Sequence, residues 1–192
     1  MEVEIQSLLA GKVAPLAPRN VPSGIDKKPV AGKVRVTIEG LECDAQGDRK
    51  VHGGPEKALH HYSRDHYAIW REEIGENSRL DQPGAFGENI STSGLDENDI
   101  AIGDRFRFGT ALIEGRKAAS HAGNSMCVLT GPIWRFAYRR RGVPAGIIAC
   151  WKKAMWKRAK PCGSLSVYRR NGRCIASGIC FMSICSTMMN WP

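Results

Sequence analysis

All 19 acidic residues of this 192-residue chain lie before position 115. Residues 1–114 carry those 19 acids with 14 Lys+Arg, whereas residues 115–192 carry 14 Lys+Arg and no acid. The first part is therefore −5 and the second +14, which gives the overall +9. A soluble domain is about a quarter charged, so a stretch of this length should hold roughly 9 acids. Six of the seven cysteines also fall in the second part. Either a basic module follows an ordinary one, or the second part was never selected as protein.

The length suits one domain with an appendage, or two small ones. The start, "MEVEIQSLLAGKV", is acidic and lacks the basic-then-apolar layout of a leader peptide. No apolar run reaches the ~18 residues of a membrane span. A soluble, cytoplasmic protein with reduced thiols is the expectation, and an odd cysteine count argues against a disulfide framework.

The first part has the patterning of folded protein. Lys33–Leu41 alternates and is β-branched, which predicts one half-buried strand ending at Gly40. "IAIGDRFRFGTALIE", from Ile100, predicts two short strands around Gly103-Asp104 and Gly109. Ser63–Gly75 predicts a helix capped by Ser63 and ended by Gly75, with Tyr67, Ile69, Trp70 and Ile74 as its apolar face. "SGLDENDIAIGD" is turn-rich and predicts a surface connection. Mostly strands with a single short helix predict a small, mainly β barrel or a β-rich α+β domain. Beyond residue 115, "WRFAYRRRG" and "WKKAMWKRAK" set aromatics among cations without a sustained period. That part is expected to be poorly ordered or non-native.

Three motifs carry chemistry. In Cys43–Tyr67, His52-Gly53-Gly54 sets two residues without side chains beside an imidazole, and glycines let backbone N–H groups approach an anion. Lys57 follows as a mobile point charge suited to phosphate, and Asp44, Gln46 and Asp48 precede it. The bland alternative is a tight turn with a capping histidine. His60, His61 and His66 invite a zinc reading. Their spacing is wrong for adjacent helical turns and no CxxC supports them, so no metal ligand is assigned. In "FGENI", Glu88 and Asn89 can aim a carboxylate and an amide into a pocket, or Asn89 can bond its own backbone. In "SGIDKKPV", Ser23 and Lys28 can meet a phosphate.

Taken in order, "SGIDKKPV", "GLECDAQGD", "VHGGPEKALHHYSRDHYAIW", "FGENI", "SGL" and "IAIGDRFRFGTALIE" resemble the MOSC family, named for the C-terminal domain of molybdenum-cofactor sulfurases. The likeness is greatest to its small stand-alone bacterial members and covers about residues 3–114. Cys43 departs from it, standing where the family usually has glycine. The resemblance implies a MOSC β-barrel, here incomplete, with residues 1–114 its N-terminal part. It implies binding of the molybdenum cofactor through pterin and phosphate, with Ser23, Lys28, His52, Gly53, Gly54, Lys57, Glu88 and Asn89 as candidate contacts. It also implies reduction of N-hydroxylated bases such as 6-hydroxylaminopurine, with electrons from a flavoprotein reductase.

The family's metal-ligating cysteine sits in a Pro-Cys-Trp-Lys-Leu-like run just beyond this point. This chain reads "RKAASHAGNSMC" instead, and Cys127 has the wrong neighbours. The missing run is recoverable from the genetic code. Each shifted codon takes the third base of one codon and the first two of the next. Across Ser120 to Ser125 the junctions can then read Pro, Cys, Trp, Lys, Leu in order. Across Arg141 to Ala154 they can read "GRTGWYYRVLEEG", with the leucine at Cys150-Trp151 and the glutamate at Trp151-Lys152 forced. A frameshift near Gly115–Lys117 also explains the lost acids. On this reading residues 115–192 are a frameshifted basic tail and the chain as written is inactive. The rival class is a nucleic-acid-binding module, in which the +14 segment tracks phosphates and its aromatics stack on bases.

Overall fold

The computed structural model describes residues 2–17, 20–47, 53–118, 147–150, 164–168 and 181–182. The chain opens with β1 (Glu2–Ala10), followed by two small hairpin strands, β2 (Ala14–Leu16) and β3 (Val21–Ser23), and by β4 (Lys28–Pro29). Next come β5 (Val36–Thr37), β6 (Gly40–Leu41), β7 (Leu59–Ser63), α1 (His66–Ile74) and a 3-10 turn at Ser78–Leu80. Then follow β8 (Ile90–Thr92), β9 (Arg105–Phe108) and β10 (Ala111–Ala118). Three short strands from the acid-free part, β11 (Ile147–Cys150), β12 (Ser164–Tyr168) and β13 (Phe181–Met182), join the same sheet. The sequence expectation for the rest of residues 115–192 lies outside the described residues.

The main sheet runs β12-β9-β10-β13-β11-β7-β8-β1-β4, and β12 also pairs with β1. The β7–β8 and β11–β13 pairings are parallel, and the others are antiparallel. The fold is the mainly β architecture, with one helix among the described residues, that the sequence implies.

Two apolar clusters hold it. The larger joins Val3, Ile5 and Leu8 of β1 to Leu59, Ile90, Phe106, Phe108 and Ile113. In β1, the in–out alternation of Val3 and Ile5 changes phase where its register against β8 slips between Ile5 and Ser7, and Leu8 rejoins the core. The second cluster packs Tyr62, Tyr67, Trp70, Leu80, Ala85 and Phe86 between β7 and α1. The Trp70 indole donates to the Tyr62 hydroxyl at 2.6 Å, so its buried N–H is satisfied.

Three expectations are corrected. Lys33–Leu41 is a two-strand turn, with β5 paired antiparallel to β6, rather than one strand. Gly40 reverses the chain at φ +124, and a Cβ there would sit 2.4 Å from the Ala58 carbonyl oxygen. Ser63 does not cap α1, because it ends β7; its hydroxyl donates to Asp65 Oδ2 and accepts from the Asp65 N–H. Asp65 is the N-cap, and its carboxylate is turned to the Gly94 N–H at 2.7 Å instead of the helix. Gly75 ends the helix as expected, its N–H donating to the Arg71 carbonyl. Ile69 is 41% exposed, so the apolar face is Tyr67, Trp70 and Ile74 only. The two short strands expected from "IAIGDRFRFGTALIE" are present as β9 and β10, a hairpin around Gly109-Thr110 that follows a turn at Ile100–Asp104.

Candidate functional site

The three motifs meet at Asp44. Its carboxylate is buried and accepts from the Gly11 N–H at 2.8 Å and from the Asn89 amide at 2.8 Å. Lys27 Nζ donates to both its oxygens, at 2.5 and 2.6 Å. Close approach of three loops makes this possible. A Cβ on Gly24 would lie 1.9 Å from the Ala45 carbonyl oxygen, and one on Gly47 2.3 Å from that of Pro22. Only glycine lets the backbones touch there.

Lys27 is 8% exposed. Burial lowers its pKa, opposed by Asp44 and more weakly by Glu88. Lys28, its neighbour, points outward with its side chain 70% exposed and pairs with Asp26, which also takes Arg79 at 2.6 Å. Burial works against the charge on Asp26, but Arg79 and Lys28 lower its pKa overall.

Asn89 bonds residues far from it in sequence rather than its own backbone. Its Oδ1 accepts from the His60 N–H at 3.1 Å, and its Nδ2 donates to the Leu9 carbonyl at 3.1 Å as well as to Asp44. It thereby ties β7 to β1. Glu88 is fully buried and accepts from the N–H groups of Gly84 at 2.7 Å and Phe86 at 3.1 Å and from the Tyr67 hydroxyl. Burial raises its pKa against those hydrogen bonds. Burial, with Glu88 alongside, also raises that of Tyr67. This carboxylate pins the Gly84–Glu88 turn to α1.

The other sequence candidates lie as follows. Ser23 Oγ accepts from the Ile25 N–H at 3.3 Å, a local turn that starts the Lys27 loop. Gly53, Gly54 and Lys57 form a turn in which the Lys57 N–H donates to the Gly54 carbonyl at 2.9 Å. Gly54 has φ +93, and among the described residues no atom lies within 4 Å of where its Cβ would stand. His52 lies outside the described residues. Cys43, beside Asp44, is an exposed free thiol whose partial burial raises its pKa. The structure thus puts Asn89 in the network around Asp44, gives Glu88 a separate set of partners in Tyr67 and the Gly84 and Phe86 backbone, and leaves Lys28 on the surface.

Sequence reasoning missed Lys27 and the roles of Asp44 and Tyr67. A signal existed in "DKKP". Adjacent residues in extended chain face opposite ways, so one lysine of the pair had to turn inward.

Residues 48–129 match the MOSC domain model. Over that stretch the chain is similar to MOSC domain proteins. It is 50% identical over 97 residues to Protein YiiM of Escherichia coli (strain K12), covering 50% of this chain and 43% of that one. It is 35% identical over 93 residues to a protein of Gibberella moniliformis named Reductase, covering 48% of this chain and 16% of that one. The chain spans less than half the length of these curated relatives. Its fold aligns with the crystal structure of YiiM from Geobacillus stearothermophilus at TM-score 0.66 and 27% identity, covering 88% of this chain and 76% of that one. Among the described residues, no helix is long and apolar enough to cross a membrane.

Proposed function

We propose that this MOSC domain is the scaffold of a molybdenum-cofactor-dependent reductase of N-hydroxylated bases, the 6-hydroxylaminopurine class. On this reading it works in the cytoplasm with electrons from a flavoprotein reductase. We further propose that the chain as written does not complete the metal site, because its reading frame changes near Gly115–Lys117. The observation that carries the scaffold reading is the Lys27–Asp44–Asn89 network. It fixes the loops bearing "SGIDKKPV", "GLECDAQGD" and "FGENI" against one another around a single buried carboxylate. Similarity to YiiM and to a protein named Reductase supports the lineage.

The described residues do not fit a metal held through a thiolate. Their one cysteine in the motif region is Cys43, whose thiol is pushed toward its protonated form. The side chains of Glu88 and Asn89 are engaged within the protein. What these residues do is positional. Asp44, Asn89 and Glu88 hold the loops, while Lys28, exposed beside Asp26, is placed to meet a phosphate. When bound, the cofactor would supply the two-electron redox centre.

Paired complementation tests the reading. Cells lacking the endogenous activity receive the chain as written or with its frame restored, and both purified products are analysed for molybdenum. The restored protein should hold the metal and protect against 6-hydroxylaminopurine, and the written chain should do neither. Molybdenum in the written chain, with protection, would overturn the reading.

The basic second part supports one further reading, a +14 segment that binds nucleic acid nonspecifically. Its affinity for RNA should fall steeply with salt and show no sequence preference. Salt-insensitive or sequence-specific binding would contradict it.

A further inference from the structure

We propose that His66, Asp96 and Glu97 form a binding site for a divalent transition-metal cation of the zinc class. His66 opens α1, and Asp96 and Glu97 lie in the connection from β8 to β9. One ligand atom from each lies within 4.8 Å of the others. His66 Nε2 is 2.8 Å from Glu97 Oε2, and the two side chains are only 6% and 17% exposed. Bonds of ~2.0 Å to a tetrahedral zinc put ligand atoms about 3.3 Å apart, so the loop carboxylate need give only a little. One imidazole with two carboxylates suits zinc or its neighbours, whereas magnesium and calcium take oxygen throughout.

Electrostatics favour a cation here. The His66 ring feels the carboxylates of Glu97, Asp96 and Asp65. The supporting groups are also in place. Asp96 Oδ1 accepts from the Asn98 N–H at 2.7 Å, and Asp65 clamps the same connection through Gly94. Such bonds orient ligands before a metal arrives.

An independent observation comes from His61. It is buried at 4% exposure, and its Nε2 lies 2.7 Å from Thr92 Oγ1. Its Nδ1 is buried with no hydrogen-bond partner among the described residues. A buried polar atom without a partner is costly and uncommon. This ring interacts electrostatically with both His66 and Asp96. The site shares no residue with the Lys27–Asp44–Asn89 network and does not rest on the cofactor reading.

The test is a cobalt(II) titration of the full chain after its cysteines have been alkylated with iodoacetamide. Saturable visible d–d bands without a thiolate charge-transfer band are expected, and zinc should abolish them. His66→Gln should weaken cobalt binding at least about tenfold. Because that change touches the start of α1, the Asp96→Asn/Glu97→Gln double variant is measured beside it, with circular dichroism to confirm the fold. It should lose the bands while keeping the spectrum of the parent. Absence of saturable bands in the parent, or bands unchanged in the double variant, would overturn the proposal.

Discussion

Lys27 and Asp44 form a buried ion pair, with Nζ 2.5 Å from Oδ1 and both side chains under a tenth exposed. Seventeen residues separate them in sequence. Their contact joins the loop after β3 to the loop after β6, and Asn89 and Gly11 complete the shell around the carboxylate. Removing one partner strands the other's charge. Asp44→Ala should cost about 3–5 kcal/mol of unfolding free energy. Lys27→Met combined with Asp44→Asn should cost clearly less than the sum of the two single changes, because neither charge is then left alone. Urea unfolding of the parent and these variants checks this, and additive losses would show that the two residues are not coupled.

Tyr67 and Glu88 give the second prediction. Tyr67→Phe removes the hydroxyl that donates to Glu88 and accepts from the Ala85 N–H, while leaving the ring packed on Phe86. The buried carboxylate loses one of its three donors, so stability should fall by about 1–3 kcal/mol. A thermal melt indistinguishable from the parent would show that the Gly84–Glu88 turn does not depend on this bond.

His61 sets a pH dependence. Burial, with a smaller contribution from His66, lowers its pKa from 6.5 to about 4. Below pH 6.5 the unfolded chain takes up a proton at this position and the folded chain does not. Stability from this group is therefore full above the unfolded pKa, declines as pH falls from about 6.5 to about 4, and levels off below. The drop is on the order of 3 kcal/mol. Denaturant unfolding in chelator across this range should show the decline, and His61→Gln should flatten it. An equal slope in the variant would assign the acid sensitivity to other groups.

The hairpin β9–β10 was legible because "RFRF" alternates outward arginines with buried Phe106 and Phe108, and a glycine marks the turn. The end of α1 was legible for the same kind of local reason, Gly75 at φ +75. Its start was not, because Ser63 is claimed by the pairing of β7 with β8, a contact no local rule contains. The reversal at Gly40 likewise depends on Ala58, which comes against it only in the folded chain. At the site, the inward turn of Glu88 and Asn89 was legible in "FGENI", but their partners were not. Asn89 reaches Leu9 across 80 positions and Asp44 across 45. Motif reading identified Asp44, Glu88 and Asn89 as residues that matter, and the folded chain shows the loops that they hold together.

On the proposed reading, the metal-ligating run of the MOSC family is present in the gene and absent from the chain. The nucleotide sequence across codons 110–125 and on through codon 154 tests it most directly. Read in the shifted frame after about codon 117, it should encode a run close to PCWKL over Ser120–Ser125, and then GWYYRVLEEG over the later stretch that ends at Ala154. Stop codons or unrelated residues in that frame would rule out a frameshift and leave the acid-free second part as a sequence in its own right.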